Sequence, residues 1–213
     1  MPIVKTLGDW AEYGLGAEAM QDESLTWATV ASEAGPELPL FKVRFDRMRH
    51  PVTGTVRKAL VLESPDWTNV VAITPEGSVV MVEQFRFGSG AISLEPPSGI
   101  VEPGEESLAA AKRELLEETG YSGGEWRHLG AVQPNPAFHD NYCHHWLAEG
   151  VVPTQPPELD DGEAIRVRLM SPDQLRDAVA AGELQHTLAQ SALSRVFSLW
   201  LLAPVKHLPG SAD

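Results

Sequence analysis

Between Ser24 and Ser64 the apolar and polar residues alternate in short runs, LTWATVAS, LFKVRFDRMR and VRKALVLES, broken by EAGPELP and HPVTGT. A period of two in β-branched and aromatic residues marks strands, and the Gly/Pro clusters mark turns. The pattern predicts a small antiparallel sheet. Pro65-Asp66 is another turn signal, followed by strands at Val70 to Ile73 and Val79 to Val82, with Thr74-Pro75-Glu76-Gly77 as a hairpin turn between them. Val82, Gln84 and Arg86 then alternate with Glu83, Phe85 and Phe87, so a strand end delivers Arg86 to a glycine-bearing loop. Beyond Gly99 the period lengthens. Leu108, Ala111 and Leu115 fall on one stripe of a helix that ends at Gly120, a natural C-cap. Further strands are expected around Trp126 to Gln133, at YCHHWLA and from Ala164 to Met170. One helix starts at Ser171-Pro172-Asp173 and runs to about Ala181. A second runs from about Thr187 to Leu202, with Leu188, Ala192, Val196, Leu199 and Trp200 on its apolar side. Trp10, Tyr13 and Leu15 read as a short helix or an arm. This element order fits an α/β fold, a mixed sheet with the first helix on one side and the C-terminal helix on the other.

The chemistry is concentrated on the helix before Gly120. Glu114 and Glu118 are four residues apart and lie one turn above each other, with Glu117 beside them. Like charges at these spacings each cost about 0.2 to 0.5 kcal/mol. Glu117 and Glu118 also occupy a last turn, where the helix dipole favours cations. A hard divalent cation reverses both penalties, and Mg²⁺ or Mn²⁺ suits such oxygen ligands, completing its shell with water and substrate phosphate.

Gly99, Glu105, Arg113-Glu114-Leu115, Glu117-Glu118 and Gly120 stand at the spacing of the Nudix box, and the chain resembles the Nudix hydrolases. The box covers about a tenth of the chain, and Tyr121 stands where the family usually has an aliphatic residue. VEQFRFGSGAISLEPPSG before the box, Pro136 fifteen residues beyond Tyr121, and NPAFHDNYCHHWLAEGV are similar to the branch that hydrolyses ADP-ribose and nucleoside diphosphate sugars. The resemblance implies a Nudix α/β/α sandwich over residues 66–213, preceded by a β-rich region, 1–65, that helps form a homodimer. It implies Mg²⁺ or Mn²⁺ on Glu114, Glu117 and Glu118, with the backbone carbonyl of Ser98 as a further ligand. Arg113 would orient Glu117, with Glu105 in support. Arg86 would grip a phosphate, and Glu95 would bind metal-linked water or substrate, or pin its loop. In such enzymes a glutamate on the mobile loop at this point activates the attacking water, and DDGEAIRV, at the end of the acidic loop PTQPPELDDG, resembles that region. Glu163 is the first candidate, with Asp161 and Glu158 as alternatives. Phe85, Trp67 or Phe138 could stack on a nucleobase, since aromatic faces accept any base. The expected reaction is hydrolysis of the pyrophosphate bond of a nucleotide sugar to a nucleoside monophosphate and a sugar phosphate. Other readings are another nucleotide substrate (a dinucleoside polyphosphate, coenzyme A or a nucleoside triphosphate) or a catalytically silent nucleotide-sensing module.

Composition narrows the setting. The 213 residues carry a formal charge of −14, which disfavours binding along a nucleic-acid backbone. Cys143 is the only cysteine, so no intrachain disulfide can form. No run of about 18 apolar residues and no signal-peptide pattern occurs, so no membrane association is expected and a cytoplasmic location is. His139, His144 and His145 have no metal-binding spacing and read as structural.

Overall fold

A computed structural model describes residues 22–199. The expectations for Trp10, Tyr13, Leu15, Trp200 and Leu202 lie outside these. The elements in chain order are β1 (Ala28–Glu37), β2 (Lys42–Arg49), β3 (Val56–Glu63), β4 (Trp67–Ile73), β5 (Val79–Arg86), β6 (Ala91–Glu95), β7 (Ser98–Ile100), α1 (Ser107–Thr119), β8 (Tyr121–Val132), β9 (Cys143–Pro153), β10 (Ile165–Met170), α2 (Pro172–Ala180) and α3 (Thr187–Ser194). They form an antiparallel 3-stranded sheet, β1-β2-β3, and a 7-stranded sheet ordered β10-β5-β4-β9-β8, in which β6 pairs with β5 and β7 with β4. The fold is α/β. None of the described helices is long and apolar enough to cross a membrane.

The residues divide into two compact units. Of the described residues, the first comprises 22–67, Ile100–Ser107 and Gly130–His144. Its β1-β2-β3 sheet is continued by main-chain ties, with Leu62 N–H donating to the Phe138 carbonyl at 2.7 Å and Trp67 N–H to the Tyr142 carbonyl at 2.8 Å. Asp66 accepts the Tyr142 N–H at 2.9 Å and lies 3.2 Å from His144 Nε2, which gives that histidine a structural role. Gly35-Pro36, expected in a turn, belongs to β1. Proline is tolerated there because β1 is an edge strand, and the register shifts between Ala34 and Glu37.

The second unit comprises, of the described residues, Thr68–Gly99, Leu108–Leu129 and 145–199. Strand alternation sorts its core into two layers. Val70, Ala72 and Val80 pack with Ala111 and Leu115 of α1, while Val71, Val79 and Met81 pack with Leu175, Leu184 and Leu193 from the α2–α3 side. Helices therefore cover both faces. His145 Nε2 lies 3.1 Å from Ser191 Oγ, a different partner from that of His144.

The α3 helix is eight residues long and stops at Ser194 instead of continuing to Leu202. Beyond it the hydrogen bonds tighten, with Arg195 N–H reaching Ala192 O and Val196 N–H reaching Leu193 O. Val196 and Phe197 still pack on the core, so the apolar period outlasts the helix.

Candidate active site

The α1 helix owes its stability to its composition and its end. Between its terminal Ser107 and Thr119, SLAAAKRELLEET consists of Ala, Leu, Lys, Arg and Glu, all strong helix formers. Gly120 then takes φ 73°, where L residues are disfavoured, and its N–H donates to Leu116 O at 2.8 Å. The Gly120 carbonyl accepts Thr154 N–H at 2.9 Å, and the Glu117 carbonyl accepts Glu158 N–H at 2.9 Å. The acidic loop is thus tied to the end of the helix that bears the glutamates.

Glu118 is 3% exposed, and one carboxylate oxygen accepts the Ser98 N–H at 2.9 Å. Burial drives its pKa well above the ordinary carboxylate range. The Ser98 N–H opposes this, while the charges of Glu114 and Glu163 add to it. Burial likewise raises the pKa of Glu114, against the pull of Arg113. Arg113 Nη1 donates to Glu114 at 2.7 Å and to Glu117 at 3.2 Å, so it holds both carboxylates of one helix turn.

Gly99 explains how Glu114 fits. A Cβ at this position would fall inside 3.0 Å of all three carboxyl atoms of Glu114. Its φ lies outside the left-handed region, so the requirement for glycine is close approach and not backbone conformation.

Arg86 sits at the end of β5 and grips Glu95 bidentately, Nε to Oε1 at 2.9 Å and Nη2 to Oε2 at 2.7 Å. The Glu95 side chain has no exposure, whereas that of Arg86 is 41% exposed. Burial pushes the Glu95 pKa up, but Arg86, His186 and Ser93 outweigh it and hold the carboxyl below its ordinary value. The pKa of Arg86 is raised, chiefly by its bond to Glu95 and further by the charges of Glu118 and Glu163.

The second unit therefore brings together Arg86, Glu95, Ser98, Arg113, Glu114, Glu117 and Glu118, with Glu163 in electrostatic reach. Glu163 accepts the Asp160 N–H at 3.2 Å, and its own N–H donates to Asp160 O at 2.9 Å, a self-closed turn. Asp161 and Glu158 are exposed on the same loop. Glu105 lies before α1 and caps its own turn, accepting Glu102 N–H at 3.0 Å. Phe85 is 46% exposed and meets Phe87 edge to face at 5.7 Å. Trp67 and Phe138 belong to the first unit, where with Phe41 they surround His139 edge-on. Sequence reasoning missed His186, whose Nδ1 lies 3.8 Å from Glu95 Oε2. No local motif announces it.

The donor set suits a hard divalent cation. The buried Glu118 and the part-buried Glu114 both have raised pKa values, with the charge of Glu114 bearing on Glu118 and that of Glu117 on Glu114, a repulsion that a cation would relieve, and Gly99 leaves room for Glu114 to close on the chain beside Ser98. Among the described residues no three His, Cys, Asp or Glu side chains form a ready-made cage. Mg²⁺-like ions do not need one, since they keep several waters.

The sequence profile of the NUDIX domain matches residues 65–190, more than half of the chain. The chain belongs to the Nudix family. Over 150 residues it is 33% identical to an ADP-ribose pyrophosphatase of Bacillus subtilis (strain 168), covering 66% of this chain and 81% of the relative. Over 116 residues it is 56% identical to the ADP-sugar pyrophosphatase of Mus musculus, covering 51% and 52% of the two chains. A solved structure titled as that of an ADP compounds hydrolase superposes with a TM-score of 0.71 at 20% identity, over 80% of this chain and 92% of that one, a likeness of fold. The protein is a Nudix pyrophosphohydrolase, a family that works with divalent metal.

Proposed function

We propose that this Nudix enzyme hydrolyses the pyrophosphate bond of ADP-ribose or a related nucleoside diphosphate sugar, giving a nucleoside monophosphate and a sugar phosphate. The observation that carries the reading is the fit of Glu114 against Gly99 beside the buried Glu118–Ser98 contact. Relatives named ADP-ribose and ADP-sugar pyrophosphatases support the substrate class.

In this reading Glu114, Glu117, Glu118 and the Ser98 carbonyl hold Mg²⁺ or Mn²⁺. The metal, when bound, supplies Lewis-acid charge for the phosphates and acidifies water. Arg113 fixes the directions of Glu114 and Glu117. Arg86, anchored on Glu95, offers its remaining N–H groups to a phosphate oxygen. A carboxylate of the acidic loop takes a proton from water as the new P–O bond forms and the bridging P–O bond breaks. Glu163 is the residue assigned to this step in preference to Asp161 and Glu158, because its charge bears on Glu114, Glu118 and Arg86 alike. Phe85 alternates with Arg86 along β5 and so faces away from it, which weighs against Phe85 as the stacking residue.

The same reading divides the chain into a β-rich region, 1–65, that dimerises through its sheet, and a catalytic domain, 66–213, and places the enzyme in the cytoplasm with no nucleic-acid partner. The test is a phosphatase-coupled phosphate-release screen with Mg²⁺ or Mn²⁺ over ADP-ribose, GDP-mannose, UDP-glucose, diadenosine polyphosphates, coenzyme A and nucleoside triphosphates. Turnover confined to triphosphates, or to coenzyme A, refutes the substrate class.

A further inference from the structure

The acidic loop begins with a stem that has few ways to bond. Of residues 153–158, PTQPPE, three are prolines, which carry no N–H, so the stem offers only the N–H groups of Thr154, Gln155 and Glu158. All three go to the end of α1. Thr154 and Gln155 donate to the Gly120 carbonyl at 2.9 and 3.3 Å, and Glu158 donates to the Glu117 carbonyl at 2.9 Å. The Glu117 carbonyl is one of those that a helix end leaves without an intrahelical partner. The Thr154 hydroxyl adds a bond to the Gly120 carbonyl at 3.3 Å and lies 2.9 Å from Ser122 Oγ at the start of β8.

Gly120 lets the stem sit this close. A Cβ there would stand 2.0 Å from the Gln155 carbonyl oxygen and 3.1 Å from its carbon, where ordinary contact begins at 3.4 Å. The obstacle is backbone, held on one side through Thr154 and on the other through Glu158, so it cannot turn aside as a side chain would. Past Glu158 the bonding changes. Glu163 N–H donates to Asp160 O at 2.9 Å, Asp160 N–H donates to the Glu163 carboxylate at 3.2 Å, and β10 begins at Ile165. The stem is bonded to α1, while the tip, 159–164, closes on itself.

We propose that Gly120 and Thr154 are positioning residues for the acidic loop: they seat its stem on the glutamate-bearing end of α1, fixing where the tip begins and so where its carboxylate meets the attacking water. This rests on the proposed function for the proton transfer, though not for the seat itself. Because Glu158 hangs on the backbone of Glu117, the start of the tip keeps a constant distance from the carboxylates of the same helix. The proton moves only in the transition state, so an unseated stem lowers kcat and kcat/KM together and leaves KM nearly unchanged.

In Gly120→Ala the stem has to retreat by about 1.4 Å, from 2.0 Å to the 3.4 Å of ordinary contact. The expected result is a kcat lowered about 100-fold with KM within about twofold of the parent. Gly77→Ala is the control: its φ of 84° strains an alanine in the same way, but no atom lies within 4 Å of the added methyl. It should keep the parent's kcat. Thr154→Val removes one side-chain bond and keeps the N–H, for an expected loss of about threefold in kcat that Thr154→Ser restores. Pairing with Glu163→Gln tells the loop from the helix end. Residues that act through one carboxylate are not additive, so G120A/E163Q is expected within about twofold of E163Q alone. Should Asp161 or Glu158 prove to be the base, its amide variant takes the place of E163Q. Losses that multiply would mean that the methyl disturbs the glutamates of α1, and would overturn the proposal. So would G120A with the kcat of G77A or, where G120A does not fold, T154V with the kcat of the parent. The kinetics use whichever nucleotide the parent enzyme turns over in the substrate screen.

An arm without substrate keeps the two readings apart. Amide hydrogen exchange followed by NMR compares the Glu158 N–H in the parent, G77A, G120A and T154V. Exchange is expected to quicken about 10-fold in G120A and about threefold in T154V, and to stay at the parent's rate in G77A. Unchanged exchange in G120A and T154V contradicts the seat whether or not any nucleotide is hydrolysed. A parent enzyme that hydrolyses nothing, together with faster exchange in these variants, refutes the function and leaves the seat standing.

Discussion

Replacing Gly99 by alanine tests the closest fit in the site. The added methyl would fall inside 3.0 Å of Cδ, Oε1 and Oε2 of Glu114 at once, whereas ordinary contact begins at 3.4 Å. The carboxylate therefore has to retreat by roughly 1 Å or more, and a misplacement of that size costs on the order of 10²-fold in rate. That corresponds to about 2.7 kcal/mol of lost transition-state stabilisation. Stability should behave differently. The displaced group is the end of a flexible side chain, the φ of Gly99 is not in the left-handed region, and Gly→Ala lowers unfolded-state entropy by about 0.4 to 1 kcal/mol. G99A is thus expected to keep a Tm close to the parent's while kcat/KM for ADP-ribose at saturating Mg²⁺ falls about 100-fold. Gly88→Ala is the control, since no atom lies within 4 Å of its added methyl. G99A retaining more than half the parent's kcat/KM would refute the claim that Glu114 must occupy the space beside Gly99.

Glu118→Gln should lower kcat/KM by about 10² to 10⁴, the effect of losing a ligand that shares several kcal/mol of charge stabilisation. The folded-state pKa of Glu118 is raised, so the metal-free parent loses stability as pH rises from the unfolded value through the folded one. At pH 8 without metal E118Q should melt no lower than the parent, and on adding Mg²⁺ only the parent should gain Tm. A large drop in the metal-free Tm of E118Q contradicts this. Glu95 has the opposite sign: its pKa is lowered, so its contribution is full above the unfolded value of about 4.3 and disappears as pH falls through the folded one. Arg86→Ala should therefore destabilise the protein at neutral pH and flatten the acid limb of its stability curve, and an unchanged acid limb in urea titrations would count against the pair. Among Glu163→Gln, Asp161→Asn and Glu158→Gln, only the first is expected to reduce kcat by 10²-fold or more, a typical weight for a general base. Equal losses in all three would withdraw the assignment.

The box helix was legible because three independent signals agree in one stretch: the apolar stripe of Leu108, Ala111 and Leu115, the glycine needed at the left-handed end, and carboxylates placed against the dipole. The two core layers followed from the alternation of Val70 with Val71 and of Val79 with Val80. Local patterns misled where a tertiary partner took over. Gly35-Pro36 reads as a turn, yet an edge strand can carry a proline because one side of its backbone needs no partner. Val196 and Leu199 extend the apolar period of α3 past the point where its hydrogen bonds shorten. The glutamates were visible as ligands, but their coupling to Arg113 and the close fit on Gly99 depend on distances that no spacing encodes.

The central claim is most directly tested by ³¹P NMR of ADP-ribose incubated with the protein and Mg²⁺, run in parallel with E118Q. The account predicts that the pyrophosphate pair gives way to two phosphomonoester signals, AMP and ribose 5-phosphate, with the parent enzyme and not with the variant. An intact pyrophosphate signal with the parent, or equal conversion by E118Q, would contradict it.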